Sequence, residues 1–263
     1  MNRRDFVSAS VLAGAAPMVG LASGSGQGID DGQQYLEWIH YHQAPGEKRQ
    51  VLGDYLRDVL IPALNRIGIG PVGVFTVQYG QTAPSLYVLI PHDTLESVIT
   101  AGTRLLDDDT YRKDASAYMD VPIGDPAYIR MEKSLMLAFK DLPKVEPPAI
   151  EEGVSRLYEL RTYESHSEKA AKKKIEMFNE GGEIAIFRES GMNPVFFGET
   201  LFGPKMPNLT YMLTFPDMAA RDAAWSTFQN DPEWRRLSGD SYFADTVSNI
   251  TDEILRPTQY SQI

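Results

Sequence analysis

Hydrophobic and polar positions alternate with period two over 156–164, which predicts a strand. Glu159, Arg161 and Tyr163 fall on one face of it and Tyr158, Leu160 and Thr162 on the other. The pattern over 168–190 is helical, with a break expected at Gly181-Gly182 and a stop signal at Gly191. Strands follow over 195–201 and 209–215, and Gly203-Pro204 with Pro207-Asn208 mark the turn between them. Asp217 stands where it can cap a helix bearing Ala219, Ala220, Ala223 and Ala224. Pro232 sits in the first turn of a short helix that carries Trp234, and a last strand covers 246–255.

The first half of the chain repeats this order. Setting Glu37 against Glu159 brings Tyr41 onto Tyr163, and Glu47-Lys48 parallels Glu168-Lys169. Further on, Gly70-Pro71-Val72-Gly73-Val74-Phe75 answers Met192-Asn193-Pro194-Val195-Phe196-Phe197-Gly198. Leu86 to Pro91 answers Leu209 to Pro216, and Leu106 to Lys113 answers Phe228 to Arg236. A first helix is expected over 48–67. Each half therefore reads strand, helix, strand, strand, helix, strand, the ferredoxin-like unit. One such sheet has a helix-covered face and a bare face, and the bare face must be buried. Two units on one chain predict an α+β fold, a pseudo-symmetric barrel of tandem ferredoxin-like repeats with their sheets face to face. The repeats span 33–140 and 154–263. Pro143, Pro147 and Pro148 make 141–153 a linker, since proline continues neither a helix nor a central strand.

The first residues change the expected location. Arg3-Arg4, then Phe6 and a modestly apolar run from Val7 to Ala22, resemble a twin-arginine export signal, with a cut after Ala22 and a Gly- and Ser-rich leader over 23–32. The run is too short and too diluted for a permanent span. A periplasmic or secreted protein without a stable membrane anchor is expected. Over all 263 residues the chain is 43% hydrophobic with a formal net charge of -11, which argues against nucleic acid as a partner. It has no cysteine, which removes disulfides, thiolate metal sites and thiol nucleophiles. Lys169, Lys172, Lys173 and Lys174 lie between Glu168 and Glu176 and read as a solvated helix face.

The second half resembles the NIPSNAP family, on Tyr158-Glu159-Leu160-Arg161-Thr162-Tyr163, Asp231-Pro232-Glu233-Trp234 and the ending Ile254 to Ser261. The first half departs from it: Ile39 stands where the second has Arg161, and Tyr111 where it has Trp234. The resemblance implies the dimeric α+β-barrel fold and admits a homo-oligomer. It implies little about activity, because related barrels include cofactor-free monooxygenases, isomerases and haem proteins.

Candidate chemistry follows from the faces. Helices usually cover the more apolar face, so Leu160 is expected under a helix and Glu159, Arg161 and Tyr163 inside the barrel. There Arg161 could clamp a carboxylate or enolate oxygen and Tyr163 could donate to it. The same residues also fit a structural Glu159–Arg161 pair between the halves. In the first half Glu37, Ile39 and Tyr41 are expected inside, and Trp38, His40 and His42 toward the helices; with the faces exchanged, His40 and His42 line the pocket. Two histidines at i and i+2 are not by themselves a metal site. His92 and His166 stand beside no carboxylate motif, and no phosphate loop, nucleophile elbow or zinc-protease motif is present. Asp107, Asp108 and Asp109 lack calcium-loop spacing and suit a helix cap. No cofactor or metal is expected. The ligand candidates are Arg161, Tyr163, Glu159, Tyr41, Glu37 and His40, and the expected function is an exported barrel binding a small, aromatic or anionic organic molecule. A cofactor-free monooxygenase or isomerase, and an assembly protein without a ligand, are the alternatives.

Overall fold

A computed structural model describes residues 32–43, 46, 48–149 and 156–263. The segment with Arg3 and Arg4, and the linker end over 150–153, lie outside the described residues.

The first repeat runs β1 (Tyr35–His42), α1 (Lys48–Asp54), a π-helical stretch (Tyr55–Leu60), α2 (Ile61–Arg66), β2 (Gly73–Tyr79), β3 (Ser85–His92), α3 (Leu95–Leu106), α4 (Asp109–Asp114), α5 (Ser116–Met119) and β4 (Arg130–Ala138). The second runs β5 (Leu157–Glu164), α6 (Glu168–Phe178), α7 (Glu183–Glu189), β6 (Asn193–Phe202), β7 (Asn208–Phe215), α8 (Met218–Asn230), α9 (Pro232–Ser238), a short 3-10 turn and β8 (Asn249–Pro257). The expected βαββαβ order is present twice. Local chemistry sets the helix ends. The Asp217 carboxylate accepts from the Ala220 N–H and Asp108 from the Thr110 and Tyr111 N–H groups. Gly182 and Gly191 take left-handed φ values of 80° and 82°, which break the second repeat's first helix and end α7.

The strands close into one barrel in the order β1-β3-β2-β8-β5-β7-β6-β4. Each repeat contributes four neighbouring antiparallel strands, and the seams are β2 with β8 and β4 with β6. Closure satisfies every sheet edge internally. The barrel interior is a mixed aromatic and aliphatic core of Leu36, Trp38, Phe75, Leu89, Tyr158, Phe196, Met212 and Leu255. Val145 of the linker and the chain's last residue, Ile263, join this interior cluster. Two further cores lie outside the barrel, one under the helices of each repeat. Among the described residues no helix is long and apolar enough to cross a membrane.

The strand faces are the reverse of the expectation. Leu160 and Tyr158 point into the barrel, while Tyr163 belongs to the core under the second repeat's helices. Ile39 and Tyr41 lie under the first repeat's helices, and Trp38 points inward. The physical reason is closure: both faces of β1 and β5 are largely buried, one inside the barrel and one under helices. Relative polarity then no longer tells the two apart.

Candidate functional site

Following the inward-facing positions along β1 leads from Leu36 and Trp38, deep in the packed core, to His40 and His42 at one end. There the filling stops and a cavity of about 300 Å³ opens. Its inner wall is Trp38, Met136, Leu160 and the Tyr87 ring, which stacks on Trp38 with centroids 4.9 Å apart. Its outer wall is polar: His40, His42, Glu132, Thr162, Thr210, Thr251 and Glu253. The sheet register explains the grouping. His40 faces Tyr87 across β3 and Glu132 across β4, and on the other side Thr162 faces both Thr210 and Thr251.

Hydrogen bonds order the part of this wall around Glu253 and His40. Glu253 is buried and fully partnered: the Tyr87 hydroxyl donates to Oε2 at 2.7 Å, and the Thr82 hydroxyl and backbone N–H donate to Oε1 at 2.7 and 3.0 Å. Burial, reinforced by Glu253, pushes the Tyr87 hydroxyl far above its ordinary range, so it stays protonated and keeps its donor bond to Glu253. Ser85 donates its hydroxyl proton to the Thr82 carbonyl at 2.5 Å and lies 2.8 Å from His40 Nε2. With its proton committed, Ser85 can only accept from the ring, so Nε2 carries the hydrogen and Nδ1 keeps its lone pair. Burial, with His42 beside it, lowers the His40 imidazole to about 4, and it is neutral at physiological pH. Nδ1 lies 4.0 Å from Glu132 Oε2, and His42 Nε2 lies 3.5 Å from Glu132 Oε1. The His42 Nε2 atom is itself buried and has no hydrogen-bond partner among the described residues.

Of the six residues singled out from sequence, only His40 lines this cavity. Glu159 is completely buried under α8, where it accepts from Arg221 Nη2 (2.7 Å) and Nε (3.0 Å), Trp225 Nε1 (2.7 Å) and Arg161 Nη1 (3.2 Å). The Arg161 guanidinium also lies 4.5 Å from the Trp225 ring centroid. Tyr163 bonds the Tyr211 hydroxyl at 2.9 Å. Tyr41 packs edge-on against Tyr128 under the first repeat's helices, and Glu37 pairs with Lys133 and faces His92 at 3.6 Å. These groups form structural networks among strands and, at Glu159, between sheet and helix, apart from the cavity. The residues that sequence reasoning did not bring to the site are Glu132, Tyr87, Thr82 and Glu253. For Glu132, Tyr87 and Glu253 the signal was register, since each becomes a neighbour of His40 or Leu160 only once strand pairing is known, while Thr82 arrives from the turn before β3 through its bonds to Glu253.

Residues 158–262 match the family model named NIPSNAP. An anthrone oxidase-like protein of known structure superposes with a TM-score of 0.50 at 10% identity, over 86% of this chain and 92% of that one. A candidate monooxygenase from Fusobacterium nucleatum gives a TM-score of 0.50 at 8% identity over the same shares. A NIPSNAP-like domain protein from Burkholderia xenovorans covers 41% of this chain and 90% of its own, at 19% identity and a TM-score of 0.37. No curated protein matches the chain by sequence. At such identities the solved structures speak to fold alone. The match to NIPSNAP is thus confined to the second repeat, and the chain as a whole has the dimeric α+β-barrel fold of these solved structures.

Proposed function

We propose that the barrel-end cavity binds a small organic molecule with a flat apolar body and polar edge groups. The observation that carries this reading is the change from packed core to cavity within one barrel, with stacked Trp38 and Tyr87 on the inner wall and partnered polar groups outside. A concave apolar site with a few convergent polar groups is the usual form of a small-ligand pocket. Protein purified in native form, then unfolded and extracted, should release a small molecule seen by mass spectrometry and absorbance. A Thr162→Trp variant, which places an indole in the opening, should lose that molecule while keeping its melting temperature. Recovery of the same amount from both proteins would place the molecule elsewhere and reject the reading.

A second reading, turnover of the bound molecule without a cofactor, rests on the bare Nδ1 lone pair of His40, which could take a proton from an acidic C–H or phenol. Two proteins of similar fold are described as anthrone oxidase-like and as a candidate monooxygenase. His40→Gln should then abolish turnover and leave ligand binding within a few-fold. We also propose that the chain is exported through Arg3 and Arg4. Changing both to Lys should leave precursor in the cytoplasm, and normal export of that variant would remove the twin-arginine assignment.

A further inference from the structure

We propose that His40, His42 and Glu132 bind a divalent transition-metal ion at the barrel end, with open coordination positions facing the cavity. The three residues offer ligand atoms that all lie within 4.8 Å of one another. Their placement follows from the sheet: His40 and His42 are i and i+2 on β1, on the same face, and Glu132 is the direct cross-strand partner of His40 on β4. An ion about 2.0–2.2 Å from two imidazole nitrogens and a carboxylate oxygen fits among atoms spaced 3.5 and 4.0 Å apart, with small side-chain rotations.

Two further observations go beyond proximity. The first is the anchoring of His40. A ligating imidazole needs its other nitrogen held by an acceptor, which fixes the tautomer and aims the lone pair. The Thr82 carbonyl, through Ser85, does this to Nε2 and leaves Nδ1 facing Glu132. The second is His42, whose Nε2 is buried without a hydrogen-bond partner among the described residues, although it points at Glu132. A buried polar atom without a partner is costly, and a metal bond would relieve that cost. Two imidazoles and one carboxylate suit Zn²⁺, Fe²⁺, Co²⁺, Ni²⁺ or Cu²⁺ better than Mg²⁺ or Ca²⁺. Three protein ligands leave positions for water or for an oxygen donor of a molecule in the cavity. The site does not depend on an organic ligand, so it stands or falls separately from the binding reading. It does compete with a base role for His40, because both use the same lone pair.

The test uses the purified full chain, stripped with a chelator and desalted, with Co²⁺ or Cu²⁺ alone as the probe. One ion per chain should be retained after a second desalting step. The Co²⁺ form should show visible absorption bands of low-symmetry coordination, and the Cu²⁺ form nitrogen hyperfine splitting from two imidazoles. Glu132→Gln changes an exposed side chain and should leave the fold intact while weakening binding by more than about 100-fold. His42→Gln should do the same and remove one imidazole from the spectrum. Ser85→Ala, which touches no ion, should weaken binding by about 10- to 100-fold. No retained ion in the wild-type chain would overturn the proposal. So would binding of equal strength in Glu132→Gln and His42→Gln, or a Cu²⁺ spectrum without two imidazoles.

Discussion

Glu159 is held by four donor contacts from three side chains, and those side chains are unequal. Arg221 supplies two of the contacts at 2.7 and 3.0 Å, whereas Arg161 supplies one at 3.2 Å. Arg221→Ala strips a fully buried carboxylate of its main charge partner and should cost about 3–5 kcal/mol. Arg161→Ala leaves Arg221 and Trp225 in place and should cost about 1–3 kcal/mol. Urea unfolding of the two variants ranks them, and the opposite order would mean that Arg161 is the main counter-ion. Tyr41 gives a pH dependence. Burial raises its hydroxyl to about 12, above the ordinary value of 10. Between those values the unfolded chain has lost a proton that the folded chain keeps. The contribution is therefore intact below pH 10 and fades toward pH 12, by roughly 2–3 kcal/mol. Tyr41→Phe should flatten that part of the stability–pH curve; an unchanged alkaline slope would place the effect on other tyrosines. Which residues pair on a strand was legible in sequence: Glu37 matches Glu159 and Tyr41 matches Tyr163, and each pair does share a face. Which side that face meets was not legible, because Arg221 and Trp225 make the Glu159 face a buried one. Their approach depends on how α8 crosses the sheet.

At the scale of elements, the breaks and caps were legible because their chemistry is local. Gly182 lies in left-handed backbone at the start of α7, and a Cβ there would meet nothing within 4 Å. Gly182→Ala should therefore cost only the conformational penalty, about 1 kcal/mol, with the α6–α7 break retained. A loss several times larger in urea unfolding would show that neighbouring atoms also move. Asp217→Ala, which removes the acceptor for the Ala220 N–H, should cost a similar amount. The helix of the first repeat was anticipated as one run over 48–67, but Tyr55–Leu60 is π-helical. Gly53 just before that stretch and Pro62 just after it mark a helix under local strain, but neither specifies a π register. Tyr55 and Leu60 are both buried in the first repeat's outer core, and Tyr55 bonds Tyr111 of α4 at 2.8 Å. Tertiary contacts of this kind are invisible to a reading of local pattern. The linker over 141–149 shows the same limit: proline marks it as irregular, yet its Leu142 and Val145 are core residues of the packed molecule.

At the scale of the molecule, the two repeats place an end with a cavity and a sealed core in one barrel. The two repeats have matching strand order, so each seam joins an edge strand of one repeat to the non-equivalent edge strand of the other: β2 to β8 and β6 to β4. The barrel was legible from duplication because a lone unit leaves a sheet face bare. The cavity was not, because it forms only where the inward side chains of the two repeats, His40 and Tyr87 from one and Thr162 and Glu253 from the other, meet at one end. The same seams make a prediction about half of the chain. Residues 156–263 alone would expose Tyr158, Leu160, Phe196, Met212 and Leu255, all buried in the full chain, together with the free edges of β6 and β8. Two copies related by a two-fold axis can cover both, with β6 of each pairing with β8 of the other, the arrangement that β2 and β4 supply in the intact chain. The fragment should run as a dimer by light scattering, and its dissociation on dilution should coincide with loss of near-ultraviolet circular dichroism. A folded monomer at low concentration would contradict this, since it would mean that the interior face is stable in water and that the outer core under α6 to α9 suffices alone. Fusing β2 and β4 back through the native first repeat should restore the monomeric barrel. Its stability should then be independent of protein concentration, unlike that of the fragment.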